Sequence, residues 1–128
     1  MRLLLDTHAL IWWWIDSRKL PQSTRKLIAD ARNEILVSAA SAWEIATKQR
    51  LDKLGLPEHT LQSYDTLLAA DGFTPISITT THALRAGAYP QPHRDPFDRM
   101  LAAQSELEKV ALISRDPAMS QFGIEVIW

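Results

Sequence analysis

Short apolar runs alternate with longer amphipathic stretches along this chain. Residues 3–5, 35–37, 76–78, 110–113 and 124–127 are compact Leu/Ile/Val-rich segments that read as five short strands. Between them, residues 9–16, 23–32, 39–54, 60–70, 80–88 and 97–109 carry apolar residues at helical spacing. The predicted order is β-α-α-β-α-α-β-α-α-β, then a short helix and a last strand. Strands separated by helices need crossover connections, which are right-handed and build a parallel sheet covered on both faces. The expected fold class is α/β, a three-layer α/β/α sandwich around a parallel sheet of four to five strands. Leu20-Pro21, Gly55-Leu56-Pro57, Asp71-Gly72 and Tyr89-Pro90-Gln91-Pro92 punctuate the helices, and none is long enough for an interdomain linker. Residues 1–128 are therefore expected to form a single domain, and no repeat or low-complexity tract interrupts them.

Composition narrows the setting more than the function. Apolar residues make up 46% of the chain and charged residues 23%, so a packed core is expected rather than disorder. A net charge of −1 offers no global attraction for nucleic acid, leaving only local basic clusters to provide it. The absence of cysteine removes disulfides and thiolate metal sites and fits a reducing compartment. The apolar opening is interrupted by Asp6 and His8 and is too short to span a membrane, so a cytoplasmic protein without a membrane partner is expected.

The acids carry the candidate chemistry. Asp6 directly follows the first strand and suits a helix N-cap. Asp95 and Pro96 suit the cap and first position of the sixth helix, which makes Asp98 a dipole-favoured acid in its first turn. Asp116-Pro117 repeats the pattern after the fourth strand, and Glu44 lies early in the third helix. Taken singly, each acid is explained by local structure. Together they are not, because a parallel sheet gathers its strand ends on one edge, where ligands bind. Carboxylates ~4 Å apart near a surface repel by ~4 kcal/mol per pair, so such a cluster takes up protons or a cation. Oxygen-only ligands favour Mg²⁺ or Mn²⁺, and the four histidines lack zinc-ligand spacing. Held by carboxylates, such an ion supports phosphodiester hydrolysis.

Four segments then carry a likeness: LLLDTHALIW, SAASAWEIATKQRLDKL, HRDPFDRMLAAQ and LISRDPAMSQFGIEVIW. In this order, and across essentially the whole chain, they resemble the PIN-domain ribonucleases, in particular the VapC toxins of toxin–antitoxin pairs. The resemblance implies a Mg²⁺- or Mn²⁺-dependent ribonuclease whose acidic site falls on Asp6, Glu44, Asp98 and Asp116. It further implies supporting roles for Thr7 and Ser114, an RNA substrate, a VapB-type antitoxin as partner, and a homodimer. Asp95 is a further possible contributor, although its cap role is sufficient.

Other residues are weighed beside these. Arg94, Arg99, Arg115 and Lys48 are candidate phosphate contacts, with surface solvation the plainer reading. Arg99 is expected to pair with a carboxylate instead, and Lys53 to share the helix of Glu44. In Trp12-Trp13-Trp14 the buried stripe is expected at positions 10, 11, 14 and 15, leaving Trp12 or Trp13 exposed as an antitoxin or dimer surface. Trp43 is expected in the core, steering Glu44, and Phe97 is expected to anchor its helix there. His8 and His93 are placed near the site and not among its ligands. Three other readings stay in view. A haloacid-dehalogenase-like phosphatase would want Asp where His8 stands, and a receiver domain would want Asp near Ile78-Thr79. A non-catalytic PIN-like binding module would need none of the acids. No glycine-rich phosphate loop is present.

Overall fold

The computed structural model describes residues 1–128. The strands are β1 (Arg2–Leu5), β2 (Glu34–Ser38), β3 (Thr74–Ile76), β4 (Ala111–Ile113) and β5 (Val126–Ile127), and the helices are α1 (Thr7–Trp14), α2 (Gln22–Ala29), α3 (Ala39–Arg50), α4 (Tyr64–Ala70), α5 (Thr80–Ala88) and α6 (Pro96–Glu108). Single 3₁₀ segments cover Glu58–Thr60 and Pro117–Phe122. The five strands form one sheet in the order β3-β2-β1-β4-β5, with every pairing parallel. This is the α/β/α sandwich expected from the pattern.

Alternation along the three central strands explains why their apolar runs are continuous. Leu3, Leu5, Ile35, Val37, Ala111 and Ile113 point into one core with residues of α1–α4, including Leu10, Ile28, Ile45 and Leu68. Leu4, Leu36 and Leu112 point into a second core with Ala86 of α5, Leu101 to Ala103 of α6, and Met119 and Phe122. A strand covered on both faces has no solvent side on which to spend a polar residue. Each fully buried Leu removes enough apolar surface from water to contribute about 2 kcal/mol.

The edges depart from the sequence reading. The third strand lies at Thr74–Ile76 rather than residues 76–78, and Ile78 is exposed. Pro75 is tolerated because β3 is an edge strand with a side free of ladder bonds. The expected helix over residues 60–70 is split, with only Tyr64–Ala70 α-helical, and α3 stops at Arg50. Lys53 therefore lies beyond the helix that carries Glu44. In α1, Ile15 is 53% exposed outside the helix, so the buried stripe stops short of it. All three indoles of Trp12 to Trp14 are half-buried against the first core. No helix is long and apolar enough to cross a membrane.

Candidate active site

The chain runs from β1 outward to β2 and β3, then returns to the other side of β1 to lay down β4 and β5. The switch point therefore lies between β1 and β4, where a crevice opens beyond the strand ends. Asp6 follows β1 there, its N–H donating to the Ile113 carbonyl at 3.0 Å. Its carboxylate caps α1, accepting from the Ala9 N–H at 2.8 Å. Ser38 caps α3 at the end of β2, and Glu44 follows on the second turn, 3% exposed. Asp116 caps the 3₁₀ segment after β4, accepting from the Ala118 N–H.

Asp95 begins α6 by accepting from the N–H groups of both Phe97 and Asp98, and Pro96 takes the first helical position. The cap sets the helix direction and so aims Asp98 at the crevice. Asp6, Glu44, Asp95, Asp98 and Asp116 line one cleft of about 360 Å³, joined by His8, Trp12, Arg115 and Pro117. Five carboxylates from four separate chain segments converge. The apolar hollow nearby, lined by Trp43, Ile78, Phe97 and Met100, carries none of them.

Burial acts on this cluster. Asp6 is 9% exposed, and loss of water pushes its carboxyl up to about 6, despite the opposing Ala9 N–H and Ser114 hydroxyl and with the Asp98 charge adding to the rise. Asp98 is raised as well, chiefly by burial, against the lowering hydrogen bond from His93 and with the Asp95 and Glu44 charges raising it further. Lys48, a candidate phosphate contact, instead forms an ion pair with Glu44 one helical turn away.

The remaining candidates fall in different places. Thr7 is buried and its hydroxyl donates to Ser41 Oγ at 3.0 Å, behind the cleft. Ser114 is buried, and its Oγ accepts from the Asp116 N–H at 3.2 Å. Arg115 lines the cleft with its guanidinium 5.8 Å from the Trp12 ring. Arg94 is exposed and does not line the cleft. Trp12 borders the cleft, packing against His8 and, edge-on, Trp128. Trp13 turns away toward Phe73.

Arg99, Trp43 and Phe97 depart from the positions the sequence suggests. Arg99 meets no carboxylate: its five N–H donors go to the carbonyls of Ala86, Gly87, Tyr89, Gln91 and His93. Trp43 is 60% exposed rather than in the core, and it packs edge-on against Phe97 with ring centroids 4.7 Å apart. Phe97 is itself only half-buried, so α6 is anchored by Leu101, Ala102 and Ala103 instead. His93, placed near the site by the sequence, touches it directly, its Nε2 2.9 Å from Asp98 Oδ2. Together with Asp116 these two residues each offer one ligand atom, all within 4.8 Å of one another. The only hint in the sequence is that Pro90 and Pro92 prevent helix formation just before His93.

Comparison with known proteins agrees with this architecture. The chain is 41% identical over 69 residues to a Mycobacterium tuberculosis protein named Ribonuclease VapC16, covering 54% of this chain and 49% of that one. The chain thus spans about half the length of that relative. It is 28% identical over 117 residues to Ribonuclease VapC22 of the same organism, covering 89% and 86%. In fold it is similar to a chain in the crystal structure of VapBC2 from Rickettsia felis bound to a promoter DNA fragment, with a TM-score of 0.73 and 14% identity over 99% of this chain and 98% of that one. Residues 3–125 match the sequence profile of the PIN domain, and the chain belongs to the PIN-domain family.

Proposed function

We propose that this protein is a divalent-metal-dependent endoribonuclease that acts as the toxin of a toxin–antitoxin pair. The convergence of Asp6, Glu44, Asp95, Asp98 and Asp116 on one cleft at the sheet's switch point carries this reading. The names of its relatives, Ribonuclease VapC16 and Ribonuclease VapC22, agree with it.

The donor set fits a hard divalent cation. Carboxylate oxygens dominate the cleft, and burial makes ionisation of Asp6 and Asp98 costly, which a cation there would reverse. Asp6, Asp98 and Asp116 would hold Mg²⁺ or Mn²⁺ directly, with Glu44 a ligand once released from Lys48. Bound there, such an ion would supply a water of lowered pKa and charge neutralisation for the phosphate. The protein's own groups do the rest. Ser114 fixes the start of the loop that carries Asp116 through its N–H. Thr7 and Ser41 tie the starts of α1 and α3 together, holding Asp6 and Glu44 at a constant separation. Arg115 supplies positive charge at the rim of an otherwise acidic cleft, where an RNA phosphate would approach. Trp12 beside it offers an aromatic surface to the RNA or to the antitoxin.

The decisive experiment is cleavage of RNA by the purified protein. Cutting should require Mg²⁺ or Mn²⁺ and stop in excess EDTA, and Asp98→Asn or Asp6→Asn should abolish it while leaving the fold intact. Full activity in EDTA would overturn the mechanism. Expression should arrest growth, coexpression with a VapB-type antitoxin should relieve the arrest, and light scattering should report a dimer. Wild-type protein that neither cuts RNA nor slows growth would instead indicate a non-catalytic module.

A further inference from the structure

We infer that His93 is a positioning residue for Asp98, held in place by Arg99 and acting from outside the cleft lining to keep the carboxylate turned toward the metal. The inference rests on the metal-dependent reading above and concerns the same site. Three observations carry it.

The first is the contact itself. His93 Nε2 lies 2.9 Å from Asp98 Oδ2, and an ionised carboxylate can only accept, so this nitrogen carries the proton. The bond occupies one carboxylate oxygen and leaves Oδ1 for a cation. The second is location. His93 does not line the cleft, whereas Asp98 does, and the ring is pinned edge-on against Phe122 with centroids 5.6 Å apart. The imidazole thus meets the carboxylate from outside the cleft lining, with a ring nitrogen also within 4.8 Å of an Asp116 oxygen. Hydrogen-bond partners of metal-binding carboxylates occupy this place, and losing one commonly lowers metal affinity 10- to 100-fold.

The third observation is how the histidine gets there. Residues 89–93 contain two prolines and form no regular structure, so their backbone needs another source of order. Arg99 supplies it. From α6, one turn beyond the cap, its guanidinium takes the Ala86 and Gly87 carbonyls in the last turn of α5 and then those of Tyr89, Gln91 and His93. Five charge-assisted bonds from one planar group fasten the connection to the helix that carries Asp98. His93 and Asp98 therefore belong to one rigid unit, with Arg99 as its clasp.

The test measures Mn²⁺ binding to the full chain by calorimetry, without RNA, for wild type, His93→Phe and His93→Gln. Phenylalanine keeps the packing against Phe122 and removes the hydrogen bond, while glutamine retains a donor. His93→Phe should bind Mn²⁺ about 10- to 100-fold more weakly with an unchanged melting temperature, and His93→Gln should recover part of the loss. In RNA cleavage at saturating Mn²⁺ the His93→Phe defect should shrink. Equal Mn²⁺ affinity in wild type and His93→Phe would overturn the inference and leave the ribonuclease reading standing. So would pulsed electron paramagnetic resonance of the wild-type Mn²⁺ form showing a directly bonded imidazole nitrogen, since His93 would then be a ligand itself. Wild-type protein that binds no Mn²⁺ would overturn the metal reading and this inference with it.

Discussion

Asp6 and Asp98 are the same chemical group delivered to the same cleft, and the molecule holds them in opposite ways. Asp6 is its own helix cap: it follows a central strand, accepts one backbone N–H, and is fixed by the sheet on either side. Asp98 stands three residues beyond a separate cap, Asp95, and relies on two further side chains, His93 of the irregular segment directly and Arg99 of its own helix at one remove. One acid is placed by the core and the other by a polar network. Damage to the first should appear as lost stability or lost chemistry, and damage to the second as lost precision.

The largest expected effect removes either acid. Asp6→Asn and Asp98→Asn should each lower RNA cleavage by about 1,000-fold, corresponding to the several kcal/mol that charge stabilisation by a metal supplies. Circular dichroism should show both variants folded, and near-normal cleavage by either would remove that acid from the site.

Next is the clasp. Arg99→Ala strands five carbonyls and should cost about 3 kcal/mol of unfolding free energy in a urea titration. Arg99→Lys should not restore it, because an ammonium lacks the planar fork. A neutral result at Arg99 would mean that water replaces the clasp without loss, and the contrast between the two acids would weaken.

The third effect separates the acids by pH. Asp6 sits at about 6 in the fold against an ordinary 3.8, so between these values the folded protein binds more protons than the unfolded chain. Metal-free stability should therefore fall as pH rises through that window, by about 2–3 kcal/mol. Asp6→Asn should flatten the difference, and saturating Mg²⁺ should reverse it by favouring the ionised form. Urea titrations in EDTA at pH 4 and pH 7 provide the check.

The smallest effect concerns the cap. Asp95→Ala should cost about 1 kcal/mol and reduce cleavage modestly, while Asp95→Asn should keep the stability. If Asp95→Asn also keeps cleavage, the residue only caps. If it does not, its charge belongs to the site.

Legibility in the sequence divides along the same line. The runs at Leu3 to Leu5, Ile35 to Val37 and Ala111 to Ile113 announce strands because burial on both faces leaves no polar positions. The acids that follow them can be nominated because parallel strands end on one edge, and the Asp95-Pro96 cap is recognisable from local chemistry alone. Arg99 and His93 escape such reading because their partners are carbonyls and a carboxylate brought near by the proline-rich connection, and no periodicity encodes that path. Trp43 misleads for a related reason: one helical step from a buried glutamate points outward, so its neighbour's burial says nothing of its own. β3 is misplaced because an edge strand that pairs on one side tolerates Pro75 and needs little apolar character.

The central place of β1 also bears on synthesis. The strand that precedes Asp6 is made long before β4, one of its two neighbours, and the Asp6 N–H finds its acceptor only at Ile113. Asp98 and Asp116 likewise come late. Until α6 and β4 are made, a nascent chain therefore carries a half-paired β1 and only Asp6 and Glu44 of the five acids, and the cluster closes in a late step. On the toxin reading proposed above, chains that stop before β4 should be inert, and the time at which β4 docks sets the earliest moment of activity.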